Sequence, residues 1–219
     1  MTCRLCGSDA EAFQAGGTTY AECRECSYTG VDPAEIPAAE AEVARYRLHR
    51  NSYDDERYRV WIAEFLDATA AFLPAGGRVL DFGSGPEPVP ARLLAERGCR
   101  VTIYDPYFAP GTAWRKSGWD AIMVHEVAEH LADPLPVFLE LASLLVPGGA
   151  LCVRTRFPPV GLDTGTTVDR AEFARWRYRM DETHVGFFSE RSMEWLASRL
   201  GLSLALLQKP DRTVFIQSL

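Results

Sequence analysis

A short run of buried-strand character passes straight into an acid and a glycine turn in Arg78-Val-Leu-Asp-Phe-Gly-Ser-Gly-Pro-Glu87, and no other stretch constrains the chain as much. A strand that ends in Gly83-x-Gly85 and is followed by an amphipathic helix, Val89 to Arg97, opens a βαβ unit. Glycines there let the backbone pass close to a ligand at the carboxyl edge of a sheet. By itself the pair reads equally as a tight structural turn, so the segments downstream decide.

Those segments alternate regularly. Strand 78–82 leads to helix 88–97 and strand 100–104, which ends in Asp105, 24 positions beyond Asp81. That interval suits strand, turn, helix, turn and strand, and places an acid where ribose hydroxyls are bound in such units. A third strand, 119–124, ends in His125-Glu-Val-Ala-Glu-His130. Helix 134–145 then stops at Pro147-Gly148-Gly149, read as helix-ending chemistry, and strand 150–155 follows. Apolar strands separated by helices predict a parallel sheet covered on both faces. After helix 190–200, capped by Ser189, the strands 202–207 and 213–219 are joined by the turn Lys209–Arg212, so one of them runs against the parallel majority.

The N-terminal segment obeys a different logic. Four of the six cysteines form Cys3-x-x-Cys6 and Cys23-x-x-Cys26, separated by 16 residues, the spacing of a four-thiolate zinc site. A redox dithiol is the alternative. Residues 1–30 cannot bury a core unaided, so a structural zinc with a complete shell would hold this ribbon folded. Cys99 and Cys152 sit in or beside apolar runs and read as buried thiols.

Residues 31–75 read as a linker, with Pro33 and Pro37, and a helical lid over the cleft, with helices at 38–50 and 54–73. Between them, the polar run from His49 to Tyr58 reads either as capping by Asn51 or Ser52, or as a lid touching a ligand. Residues 76–219 form the main domain, and 156–189 read as an insertion over the cleft with no sheet element. Within it, Arg175, Arg177 and Arg179 interleave with Trp176 and Tyr178, either to bind an anionic or aromatic substrate or as a solvated basic face.

A chain of 219 residues holds one α/β domain and a small appendage. Its formal net charge of -7 argues against nucleic acid as main partner. No window approaches about 18 consecutive apolar residues, and the first residues lack an apolar core, so neither a membrane span nor a secretory signal is read and a cytoplasmic protein is expected.

Together, Val79-Leu-Asp81-Phe-Gly83-Ser-Gly85, Asp105, Trp119-Asp-Ala-Ile, Glu126-x-x-Glu129-His130-Leu and Leu145-Val-Pro-Gly-Gly-Ala-Leu151 resemble a class I S-adenosylmethionine-dependent methyltransferase over residues 78–219. The resemblance implies a Rossmann-like, doubly wound, mostly parallel sheet with an antiparallel C-terminal strand. It also implies that Asp81, Phe82, Gly83, Ser84 and Gly85 line the methionine and ribose side of the cofactor. Asp105 would hold the ribose, with Pro106 and Tyr107 beside it and Tyr107 or Phe108 over the adenine. His125 and Glu126 would face the reacting sulfonium. Between Asp105 and Trp119 only 13 residues stand where the family has a helix and a strand, so the sheet is expected to lack one edge strand and to close its adenine pocket differently.

The nearest likeness is to small-molecule methyltransferases of the quinone-precursor and sugar type, some with an N-terminal zinc segment. Tyr178-x-x-Asp181-x-Thr183-His184 resembles a substrate-side motif of theirs. Methyl transfer needs alignment of the acceptor and often removal of its proton. Of the histidines His49, His125, His130 and His184, the pair His184 and His130 are the candidates for that work, with Asp181 orienting His184; buried or capping histidines are the alternative. Two rival readings remain, a protein or RNA methyltransferase docking through the ribbon, and an inactive methyltransferase-like interaction protein.

Overall fold

The computed structural model describes residues 1–48, 52–116, 118–161 and 165–218. Strands β1 (Ala10–Ala15), β2 (Thr18–Cys23) and β3 (Thr29–Val31) form an antiparallel meander that carries all four paired cysteines at one end. Two helices follow, α1 (Ala39–Tyr46) and α2 (Glu56–Thr69). The first is shorter than the expected 38–50, and His49, Arg50 and Asn51 lie outside the described residues. Asp55 caps α2, its carboxylate accepting from the Arg57 and Tyr58 amides, whereas Ser52 instead accepts from the Asp54 amide.

Strand β4 (Arg78–Phe82), helix α3 (Val89–Glu96) and strand β5 (Arg100–Tyr104) form the expected βαβ unit, and β6 (Trp119–His125) pairs parallel on the other side of β4. Helix α4 (Pro134–Ser143) ends before Pro147, and β7 (Leu145–Arg154) already contains Pro147-Gly148-Gly149. This corrects the reading of that tripeptide as a helix stop. The Gly148 amide donates to the Gln217 carbonyl and the Gln217 amide to the Gly149 carbonyl, so the segment belongs to the sheet.

Helix α5 (Arg170–Arg175) and strand β8 (Gly186–Phe187) come next, then α6 (Glu190–Leu200), β9 (Ser203–Gln208) and β10 (Arg212–Ile216). The main sheet runs β5-β4-β6-β7-β10-β9, with β10 antiparallel to both neighbours. It is a mostly parallel mixed sheet, and β5 stands at its edge because no strand forms between Asp105 and β6 among the described residues.

Residues 156–189 depart most from expectation. β8 joins the N-terminal sheet as its fourth strand, paired antiparallel with β3. The cause is an unpaired β3 edge beside an apolar segment whose Val185, Phe187 and Phe188 are buried. Phe13, Tyr20 and Val31 share one core with Phe173, Val185 and Phe187. The cysteine-bearing module and the insertion therefore fold against each other, and Tyr28 packs on Phe188 within the core that extends under the main sheet.

Candidate active site

The loop after β4 is shaped by two glycines with left-handed backbones. A Cβ on Gly83, at φ +78°, would stand 2.4 Å from Val127 Cγ2, whereas one on Gly85, at φ +67°, would meet nothing within 4 Å. The first glycine is demanded by packing, and the second leaves open space along the loop. Gly83 and Ser84 donate to the Tyr104 carbonyl at 2.7 and 3.0 Å, tying the loop to the end of β5.

Asp105 completes that tie. One carboxylate oxygen accepts from the Gly85 amide at 3.0 Å, and the other from the Tyr107 and Phe108 amides at 2.8 and 3.0 Å. Where the family has another strand, Trp114 is buried against Tyr104 and Phe82, and Tyr107 turns its hydroxyl to Glu42 of α1 at 2.9 Å. Asp81 is fully buried beneath the loop with one oxygen unpartnered among the described residues. Burial, opposed by the Ala91 amide, pushes its carboxyl up to about 7.

The end of β6 supplies the other wall. His125 lies between Trp61 and Phe65, its ring centroid 4.8 and 5.3 Å from theirs, and burial beside Arg154 pulls it down to about 3, so it is neutral. Arg154 is held by Asp211 at 2.9 Å and by the Trp61 carbonyl at 2.8 Å. Glu126 has a left-handed backbone, φ 54°, and burial next to Glu129 raises its carboxyl well above the ordinary range. Glu129, wholly buried, accepts from the Tyr178 hydroxyl at 2.5 Å.

Residues from the insertion meet this wall. The rings of His130 and His184 are 4.8 Å apart, and Tyr178 lies 4.2 Å from His184. Burial holds His184 below its usual range. Asp181 stands at the head of the turn that carries His184, its carbonyl accepting from the His184 amide at 3.0 Å. Its carboxylate accepts from the Thr183 amide and hydroxyl and pairs with Arg45 at 2.8 Å, the local-turn role that a spacing of three also suits, while the His184 ring is held by the Tyr178 carbonyl.

These groups line one cavity of about 680 Å³. Every residue expected at the cofactor or catalytic site borders it: Asp81 to Gly85, Asp105 to Tyr107, His125, Glu126, His130, Asp181 and His184. Sequence reasoning missed Glu42 and Tyr46 of α1 and Trp61 of α2 as lining residues, although the expected lid helices contain them, whereas Tyr58, the end of the run read either as capping or as a lid touching a ligand, does line the cavity. The arginine cluster divides. Arg175 pairs with Glu172 at the surface, but Arg179 is buried, donating to the Ala15, Phe173 and Ala174 carbonyls as a clamp between β1 and the insertion.

The paired cysteines converge as well. Cys3 and Cys26 sulfurs stand 3.7 Å apart, those of Cys6 and Cys23 3.4 Å, and all four lie within 4.8 Å of one another. Four thiolates at about 2.3 Å from a tetrahedral zinc would be separated by about 3.8 Å, so the donors fit such an ion. Each loop also makes an amide-to-sulfur contact, Cys6 to Cys3 at 3.5 Å and Cys26 to Cys23 at 3.4 Å.

Residues 50–207 match the family described as a methyltransferase domain. The chain belongs to that family. Membership makes it an S-adenosylmethionine-dependent methyltransferase. No curated protein matches it in sequence. Among solved structures it is similar to 1,6-didemethyltoxoflavin-N1-methyltransferase of Burkholderia thailandensis, solved with 1,6-didemethyltoxoflavin and S-adenosylhomocysteine: TM-score 0.56, 16% identity, 96% of this chain and 100% of that one. An O-methyltransferase family protein of the same organism gives 0.53 at 16%, over 84% of this chain and 64% of that one. The mitomycin 7-O-methyltransferase gives 0.53 at 17%, over 76% and 59%. At such identities the likeness is one of fold. No helix among the described residues is long and apolar enough to cross a membrane.

Proposed function

We propose that the chain transfers the methyl group of S-adenosylmethionine to a small-molecule acceptor, with the cofactor on the β4–β5 side of the cavity and the acceptor on the β6 side. The single observation that carries this reading is the shared cavity, with the open glycine loop and Asp105 at one end and Glu126, His130, Tyr178 and His184 at the other. Asp105 holds the ribose hydroxyls while bracing the loop, Gly85 lets the cofactor lie against the backbone, and Tyr107 flanks the adenine. Pro106 keeps that turn rigid.

Transfer is an in-line displacement from the sulfonium, so the chain's task is alignment. Val127 packs against Gly83, joining the loop after β4 to the segment after β6. His130 and His184 orient the acceptor; the neutral, buried His125 is packing for that wall. The similar proteins that act on toxoflavin and mitomycin compounds support a small acceptor.

Zinc held by Cys3, Cys6, Cys23 and Cys26 is structural in this reading, because four thiolates leave no position for substrate. The module's contacts favour an internal role over docking of another protein. Arg4 donates to the Ala132 and Val185 carbonyls, Glu22 accepts from the Val168 amide, and β3 pairs with β8. Incubation with methyl-labelled S-adenosylmethionine and a panel of hydroxylated aromatics, N-heterocycles and sugars tests the proposal: label in a small product is expected, and label in protein or RNA alone would refute it.

A further inference from the structure

We propose that Glu129, His130 and His184 hold a divalent cation at the acceptor end of the cavity, and that this ion, rather than a histidine base, activates the acceptor hydroxyl; the inference rests on the methyltransferase reading above. One oxygen of Glu129 and one ring nitrogen of each histidine lie within 4.8 Å of one another. The backbone sets both tautomers. Nδ1 of His130 faces the Thr183 carbonyl at 2.9 Å, and Nδ1 of His184 faces the Tyr178 carbonyl at 2.6 Å. A carbonyl only accepts, so in each neutral ring Nδ1 carries the proton and Nε2 keeps its lone pair. Metal-binding histidines are commonly held in this way, one N–H on a carbonyl and the other nitrogen on the ion.

The carboxylate is prepared similarly. Glu129 has no exposure, its Oε1 takes the Tyr178 hydroxyl at 2.5 Å, and its Oε2 has no partner among the described residues. Nε2 of His130 lies 4.0 Å from Oε1 of Glu129. Three residues earlier, Glu126 lines the cavity and also carries an oxygen without a hydrogen-bond partner among the described residues. The nearby Arg154 is already engaged by Asp211 and the Trp61 carbonyl. Buried carboxylate oxygens left unmatched are costly, and a cation would answer them.

Two imidazoles and a carboxylate suit Mn²⁺, Fe²⁺, Co²⁺ or Zn²⁺ better than Mg²⁺ or Ca²⁺. Three protein donors leave about two or three positions for other ligands. The acceptor class then narrows to an oxygen nucleophile with a second oxygen beside it, such as a catechol or a vicinal diol, which can chelate the ion. Coordination acidifies the acceptor hydroxyl. Its proton leaves to solvent, the oxygen forms a bond to the methyl carbon, and the carbon–sulfur bond breaks with its electron pair staying on sulfur, giving an O-methyl product and S-adenosylhomocysteine.

Titration of the intact, zinc-loaded chain with Mn²⁺, followed by loss of the free-ion paramagnetic resonance signal, tests the site. S-adenosylhomocysteine binding is measured calorimetrically on the same samples. One Mn²⁺ per chain is expected in the wild type and none in the His130→Ala/His184→Ala double variant, with S-adenosylhomocysteine binding retained in both as proof of folding. Tyr178→Phe, which removes the hydroxyl that braces Glu129 and also meets Thr155 and the Arg156 amide, should weaken Mn²⁺ about ten- to a hundredfold. A wild type that binds S-adenosylhomocysteine but no Mn²⁺, or a double variant that binds Mn²⁺ as the wild type does, overturns the inference. Mn²⁺ binding lost in the double variant, without S-adenosylhomocysteine binding in the wild type, would uphold the ion site and sink the cofactor reading beneath it.

Discussion

The two ends of the cavity are built on different principles. At the proposed cofactor end, the loop after β4 and the turn after β5 brace each other through Asp105 and the Tyr104 carbonyl, within about 30 residues of contiguous chain. At the proposed acceptor end, His130 comes from the loop after β6, Tyr178 and His184 from the insertion, and the insertion is held by the N-terminal sheet through β8, Arg4 and Arg179. One end is local and the other is assembled from three distant segments. The comparison teaches that the N-terminal module can matter to the reaction without touching a ligand, by fixing where His184 stands.

The strongest way to break the comparison is to remove a thiolate. Structural zinc contributes about 10–16 kcal/mol in small zinc-folded peptides, so Cys26→Ala should cost more stability than any other single change discussed. Hydrogen-exchange mass spectrometry should show protection falling in residues 1–31 and 168–188 while 78–105 keep theirs. Equal loss in both regions would show that the ends are not independent.

Arg179→Ala is the next largest. Removing a buried cation that donates to three carbonyls should destabilise the fold by about 3 kcal/mol in urea unfolding. An effect within about 0.5 kcal/mol would mean that the clamp carries nothing.

The two glycines sharpen the contrast at the cofactor end. Gly83→Ala forces a Cβ into Val127 at a left-handed backbone and should cost about 2–4 kcal/mol, seen as a lowered Tm. Gly85→Ala pays only the backbone strain, about 1–2 kcal/mol, and its larger consequence should be weaker S-adenosylhomocysteine binding. The reverse ranking in Tm would contradict the packing.

The smallest effect is titration of Asp81. Its folded value, about 7, lies above the ordinary 3.8, so the folded state binds more protons between these values, and this group's contribution to stability falls as pH rises from about 4 to about 7. Asp81→Asn should remove that fall. The difference in Tm between variant and wild type should therefore grow in the variant's favour across the window, and a constant difference from pH 4 to 7 would count against it.

How far the residues alone disclosed this architecture follows the same divide. The sheet from β4 to β7, the reversed β10 and the missing edge strand were legible because strand, glycine turn, helix and acid follow one another at short spacing. Asp181, expected to orient His184, also closes its own turn through Thr183, because an acid three residues from a histidine fits either role. β8 escaped notice because two residues, Gly186 and Phe187, carry no alternation, and their partner β3 lies more than 150 positions away. Pro147-Gly148-Gly149 resembled a helix stop because glycine and proline punctuate both helix ends and irregular strand starts. Arg179 stood in a basic run, and only tertiary packing shows that it faces inward.

The most direct test of the central claim is calorimetric titration of the intact chain and of Asp105→Ala with S-adenosylhomocysteine. The account predicts one site per chain in the wild type and binding about ten- to a hundredfold weaker in the variant, the loss of one or more hydrogen bonds to a charged group. A folded wild type that binds none, or a variant that binds equally well, would contradict it.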